Sequence, residues 1–142
     1  MTSKRQPMVT ATDPSGLCVG CTHAGTFLAA GSCQPGDVCI RAHSGRQIDR
    51  FLRAHKDEAP AYLHDLFWER RAIAARYSPV DQIAPLIHDH DEVVRRVVAD
   101  RIPVDQLAGM VRDPDREVRL SGAARLPPTA LGALFKDPDY LI

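Results

Sequence analysis

The chain is 142 residues long, 44% hydrophobic and 25% charged, with a formal net charge of zero. These values match the soluble globular average and exclude both a disordered chain and a collagen-like polymer, and no apolar run of 18 residues is present to cross a membrane. Neither half approaches the basic balance that nucleic-acid affinity usually requires: residues 41–76 carry eight Arg and Lys against five Asp and Glu, and residues 77–142 carry eight against eleven.

Residues 1–15 read as a flexible N-terminus. Lys4 and Arg5 are not followed by an apolar segment, so no secretory signal is expected and the compartment is expected to be the reducing cytoplasm. All four cysteines then fall within 22 residues, Cys18, Cys21, Cys33 and Cys39, in the spacing C-x2-C, eleven residues, C-x5-C. In a reducing compartment such a cluster is a set of thiolate ligands rather than disulfides, and residues 16–43 are expected to form a small metal module. Four thiolates suit zinc and iron–sulfur clusters alike, and the spacing does not choose between them. Gly16, Gly20, Gly25, Gly31 and Gly36 would let backbone amides turn toward sulfur, while Phe27, Leu28, Ala29 and Ala30 would line the site against water. His23 and His43 are expected to be exposed loop residues.

Residues 44–63 read as a helical cap or a degenerate first repeat. Ile48, Phe51 and Leu52 form the inward face of an amphipathic helix in GRQIDRFLRAH, and EAPAYLHDLF is expected to form a second helix. Trp68, the lone tryptophan, is expected in the core beside Phe67.

Residues 64–142 repeat with a period of 24. The stretches 64–87, 88–111 and 112–135 place Arg71, Arg95 and Arg119 in register, as they do Ala75, Ala99 and Ala123, and Pro79, Pro103 and Pro127. Such a period means a solenoid, in which each unit buries its apolar face only against its neighbours. Asp113 as cap, Pro114 at the first helical position and Asp115 beside the positive helix end predict a helix start, and Val94, Val97, Val98 and Ile102 follow with helical spacing. The prolines end that helix. After them Leu107, Met110 and Val111, and likewise Leu131, Leu134 and Phe135, predict a second short helix, partly 3₁₀. Ser121 and Gly122 stand where Val97 and Val98 do, so a close approach of layers is expected there, and Ile142, in the position of Val118, is expected to pack on the preceding layer. His64, His88 and His90 at the helix starts read as solvated turns.

A four-cysteine module followed by DPDxxVRxxxAxRLP units of 24 residues resembles the leucine-rich repeat variant (LRV) proteins over roughly residues 16–142. The resemblance implies an all-α fold, a right-handed superhelix of alternating α and 3₁₀ helices behind a small N-terminal metal-cluster module. It implies a [4Fe-4S] cluster on Cys18, Cys21, Cys33 and Cys39, with zinc as the alternative reading of the residues, and an association with nitrogen fixation. The expected function is electron transfer or redox sensing with a protein partner on the repeat surface. A non-redox interaction scaffold, stapled by zinc or a structural cluster, is the alternative. No Gly-rich phosphate loop, H-E-x-x-H or G-x-S-x-G occurs, so no enzyme and no catalytic residue is expected. A basic stripe of Arg95, Arg96, Arg101, Arg119 and Arg125 could serve nucleic acid, but Asp89, Asp91, Asp113 and Asp115 recur too and favour pairing between adjacent layers.

Overall fold

The computed structural model describes Cys18, residues 21–34 and residues 36–129. The expectations for residues 1–15, Gly16, Gly20, Leu131, Leu134, Phe135 and Ile142 lie outside these. The chain divides into two compact units, with the boundary between Ala59 and Pro60.

In the first unit, a short π-helical turn, Ala24–Leu28, is followed by an antiparallel bridge between Gln34 and Val38 and then by helix α1, Gly45–Ala54. Ser44 starts α1 because its extended backbone lets the hydroxyl accept from Gln47 N–H at 3.4 Å. Ile48, Phe51 and Leu52 are fully buried, as their spacing predicts. The segment after α1 departs from expectation: Lys56–Tyr62 is a 3₁₀ helix with Pro60 inside it, and residues 63–67 are turns and bends. Pro60 has no amide to donate, so an α-helix cannot run through it cheaply.

The second unit repeats one theme. Helices α2 (Trp68–Tyr77), α3 (Glu92–Arg101) and α4 (Arg116–Arg125) begin 24 residues apart. Between them lie only 3₁₀ helices, Val80–Gln82 and Ala84–His88, then Val104–Gln106 and Met110–Arg112. Pro79 and Pro103 stand immediately before the first 3₁₀ helix of each pair, each with φ −56°, the value its ring imposes. Helix α2 packs on α3 and α3 on α4, while α3 also meets Ala84–His88 and α4 meets Met110–Arg112. The register is visible in the core, where Ala74, Ala75 and Ile83 of one layer match Val98, Ala99 and Leu107 of the next, all fully buried. Each such Val or Leu contributes about 1.5–3 kcal/mol by leaving water. A Cβ added at Gly122 would meet Val111 Cγ1 at 3.4 Å, so α4 does approach the 3₁₀ layer closely there.

The charged residues are repeated as faithfully as the core. Arg71 Nε and Nη2 donate to both carboxylate oxygens of Asp89 at 2.9 and 3.0 Å, and Arg95 repeats the fork on Asp113 at 2.8 and 3.1 Å. The remaining Nη1 of each arginine reaches a backbone carbonyl of its own layer, Asp65 for Arg71, Asp89 for Arg95 and Asp113 for Arg119. Arg101 reaches back to the carbonyls of Ala75 and Ser78 at 2.6 Å, and Arg125 to that of Ala99 at 2.8 Å. Arg96 forks onto Asp115 at 2.9 and 3.0 Å. The arginines of the stripe therefore bind carboxylates and backbone carbonyls of the repeats, Arg95, Arg96, Arg101 and Arg125 across to a neighbouring layer and Arg119 within its own, while Asp91 caps α3 by accepting from Val93 N–H at 2.8 Å.

Two expectations are corrected. The cap of α4 is Asp115, which accepts from Val118 N–H at 3.0 Å, so Pro114 precedes the cap instead of opening the helix. Asp113 is engaged by Arg95 and by Asp115 N–H. Trp68 is 38% exposed. It occupies the position of Glu92 and Arg116, on the outer side of the first turn, and packs edge-on against Phe67. The inward position of that turn belongs to Arg70, buried where Val94 and Val118 stand, with Asp65 at 2.7 Å and the Phe67 ring beneath its guanidinium.

Candidate metal-cluster site

Two local devices present the four cysteines. The first is a turn: Cys21 N–H donates to Cys18 carbonyl at 3.1 Å, and Ala24 N–H continues it onto Cys21 carbonyl at 3.2 Å. Both Cys18 and Cys21 line the same pocket. The second is a tight hairpin. Gln34 and Val38 exchange both backbone hydrogen bonds, at 2.9 and 2.7 Å, and Asp37 N–H closes the turn onto Gln34 carbonyl at 2.8 Å. Gly36 sits there with φ +91°, a conformation that costs glycine nothing. Cys33 and Cys39 flank the bridged pair, so C-x5-C is the spacing of two thiols on opposite legs of one hairpin.

The legs are anchored separately. Cys33 N–H donates to Phe27 carbonyl at the end of the π-helical turn, and Cys39 N–H to Gln47 carbonyl in the first turn of α1, both at 3.2 Å. None of the four cysteines is in a disulfide, and all four line one pocket. Its walls are otherwise mainly apolar, from Ala24, Leu28, Val38 and Ile40, with His23 and Arg41 completing them. Leu28 thus lines the site as expected, Phe27 stands in the aromatic layer around His23, and Ala29 and Ala30 are exposed.

The donor set fits a shared cationic group. Cys18 and Cys39 are buried, and Cys33 is pushed up to about 11, by burial first and then by the neighbouring Cys21 and Cys39 sulfurs. The Cys33 thiol thus resists ionisation by itself and would ionise around a metal whose charge offsets it. Among the described residues no group of three or more His, Cys, Asp or Glu side chains is placed to hold a single metal ion.

His23 is the residue that sequence reasoning misplaced. It is buried, 7% exposed, and not a loop surface residue. Its N–H points at Cys21 Sγ at 3.5 Å, its ring stacks on Phe27 at 5.1 Å and leans on Phe51 at 5.1 Å, and Nε2 faces Glu58 at 3.7 Å. His55 stacks on the far side of Phe27, 4.0 Å between centroids. The partners come from α1 and the segment after it, so the only local signal is the helical spacing that brings Phe51 and His55 onto one face. His43, His64, His88 and His90 are exposed. Of the glycines expected to aim amides at sulfur, Gly31 and Gly36 serve positive-φ turns.

Residues 16–61 match the family model described as LRV protein FeS4 cluster. Among solved structures, the chain is similar to one described as a leucine-rich repeat variant with a novel repetitive protein structural motif, at 53% identity and a TM-score of 0.85. The similarity covers 87% of this chain and 53% of that one, so this chain spans about half the length of the relative. No curated protein matches the chain.

Proposed function

We propose that this chain, which belongs to the leucine-rich repeat variant proteins and carries their iron–sulfur module at residues 16–61, binds a [4Fe-4S] cluster on Cys18, Cys21, Cys33 and Cys39 and uses it for electron transfer or redox sensing. The observation that carries this reading is the convergence of four cysteines, none in a disulfide, on one pocket with mainly apolar walls. Four thiolates can serve a lone zinc or a cubane, one at each iron, and the family model for an iron–sulfur module is what favours the cubane. When bound, such a cluster supplies one-electron chemistry.

The protein's own groups set the conditions for that chemistry. The cysteine sulfurs hold the irons, and His23 N–H directs positive charge at Cys21 Sγ, which offsets charge on the sulfur. Ala24, Leu28, Val38 and Ile40 limit water on the cavity walls. No step here is enzymatic. The repeats serve as a recognition surface for a protein partner, and their arginines, engaged between layers, favour this over a nucleic acid. A cytoplasmic setting and an association with nitrogen fixation belong to this proposal, the second supported by the family resemblance alone; no helix among the described residues is long and apolar enough to cross a membrane.

The test is an absorption spectrum with iron, sulfide and zinc analysis on protein purified without oxygen, followed by dithionite. A broad visible band that bleaches, with about four iron and four sulfide per chain, is expected. A colourless protein with one zinc would make the module a staple and the chain a recognition scaffold.

A further inference from the structure

Two of the four thiols sit on the hairpin at residues 33–39, and a side chain of its turn, Asp37, is bonded to helix α1. Asp37 sits in the turn between Cys33 and Cys39, and its Oδ1 is taken by both Arg46, at 3.4 Å, and Arg50. These arginines stand one turn apart on α1, whose opposite face, Ile48, Phe51 and Leu52, is fully buried. The legs are tied at their bases by Cys33 N–H to Phe27 carbonyl and Cys39 N–H to Gln47 carbonyl. The carboxylate between two guanidinium groups therefore fixes the far end of the hairpin to the same helix that anchors its Cys39 leg.

We infer that Asp37 is a positioning residue for cluster binding, clamped by Arg46 and Arg50 so that Cys33 and Cys39 are presented ready to ligate. The inference rests on the reading of the four cysteines as a cluster site. A structural role can be told from a positioning role here, because the side chains of Asp37, Arg46 and Arg50 are 50%, 58% and 38% exposed. Ion pairs this exposed contribute little to global stability. A partner that orients ligands, by contrast, typically changes metal affinity by about 10- to 100-fold.

The experiment follows cluster loss to an iron chelator by visible absorbance, without oxygen, in the full chain and in Asp37→Asn, Asp37→Glu and the double variant Arg46→Gln/Arg50→Gln. Melting of each cluster-free protein is measured alongside. Expected are loss about tenfold faster in D37N, recovery of most of the wild-type rate in D37E, and an effect of the double arginine variant that does not add to that of D37N. Cluster-free melting temperatures should be unchanged. Equal loss rates in wild type and D37N, additive effects, or a matching fall in cluster-free melting temperature would overturn the clamp. A wild-type protein without iron would overturn the cluster reading itself, and the clamp with it.

Discussion

The two units hold their helices by opposite means. The repeat unit uses one small set of contacts over and over: buried aliphatics at 24-residue intervals and arginines that fork onto the next layer's aspartate while touching their own layer's backbone. The cysteine unit repeats nothing. Its described residues hold a π-helical turn, a bridge, helix α1 and an aromatic layer of His23, Phe27, Phe51 and His55. A segment this small buries too little surface to be secure without a staple. The same thiols that would give the unit its chemistry are therefore what would complete its core, whereas the repeats need no ligand to stand.

The sharpest way to break this comparison is Cys33→Ser. It should abolish the visible cluster and loosen residues 16–59, with most of the helical circular dichroism retained by α2, α3 and α4. Loss of nearly all helicity would show that the units do not stand apart. Next in size is Asp113→Ala, which strips Arg95 of both carboxylate contacts and Asp115 N–H of its acceptor. With side chains only 8% and 14% exposed, this leaves a largely buried unpaired charge and should cost about 3 kcal/mol in denaturant unfolding of the repeats, while iron content stays unchanged. Adding Arg95→Met should recover part of that cost, and no recovery would mean the ladder is not the cause. Ala99→Leu, at a fully buried position between layers, should cost roughly 1–3 kcal/mol by overpacking. An unchanged melting temperature would contradict the layer register.

The smallest effect concerns pH. The Arg96 guanidinium bonded to Asp115 holds that carboxyl below the usual carboxylate range, opposed by modest burial and helped by Val118 N–H. A depressed carboxyl stabilises the fold above its unfolded value of about 3.9 and loses that contribution as pH falls through the lower folded value. Arg96→Gln should raise the Asp115 titration midpoint observed by NMR and move the acid-side loss of repeat stability to higher pH. A midpoint that does not move would assign the shift to the helix end instead.

How much of this could be read in advance differs between the units for the same reason. In the repeats every long-range contact recurs, so Arg95 with Asp113 is announced by the recurrence of both types, and the helix starts follow from the prolines and aspartates. What failed there was local: Phe67 breaks the cap pattern at the first layer and Arg70 takes an inward place, so Trp68 lies outward against expectation. In the cysteine unit the ligands are visible because thiols are rare and clustered. His23 with Glu58, and Asp37 with Arg46 and Arg50, are single pairings across loops, and a single pairing leaves no periodic trace. The hairpin is legible in Gly36, whose positive φ marks a turn, and in the C-x5-C spacing on either side of it.

The arginines give the array a property of growth. Arg95 reaches forward to Asp113 and Arg101 reaches back to Ala75 and Ser78, so a middle unit carries a plug for the unit ahead and a plug for the unit behind. Duplicating residues 88–111 would supply a new layer with both connectors already in place, and removing them would let the flanking layers meet with matching ends. Length can change during descent in whole units of 24 without a compensating substitution, while insertion of a few residues would unseat every connector it displaced.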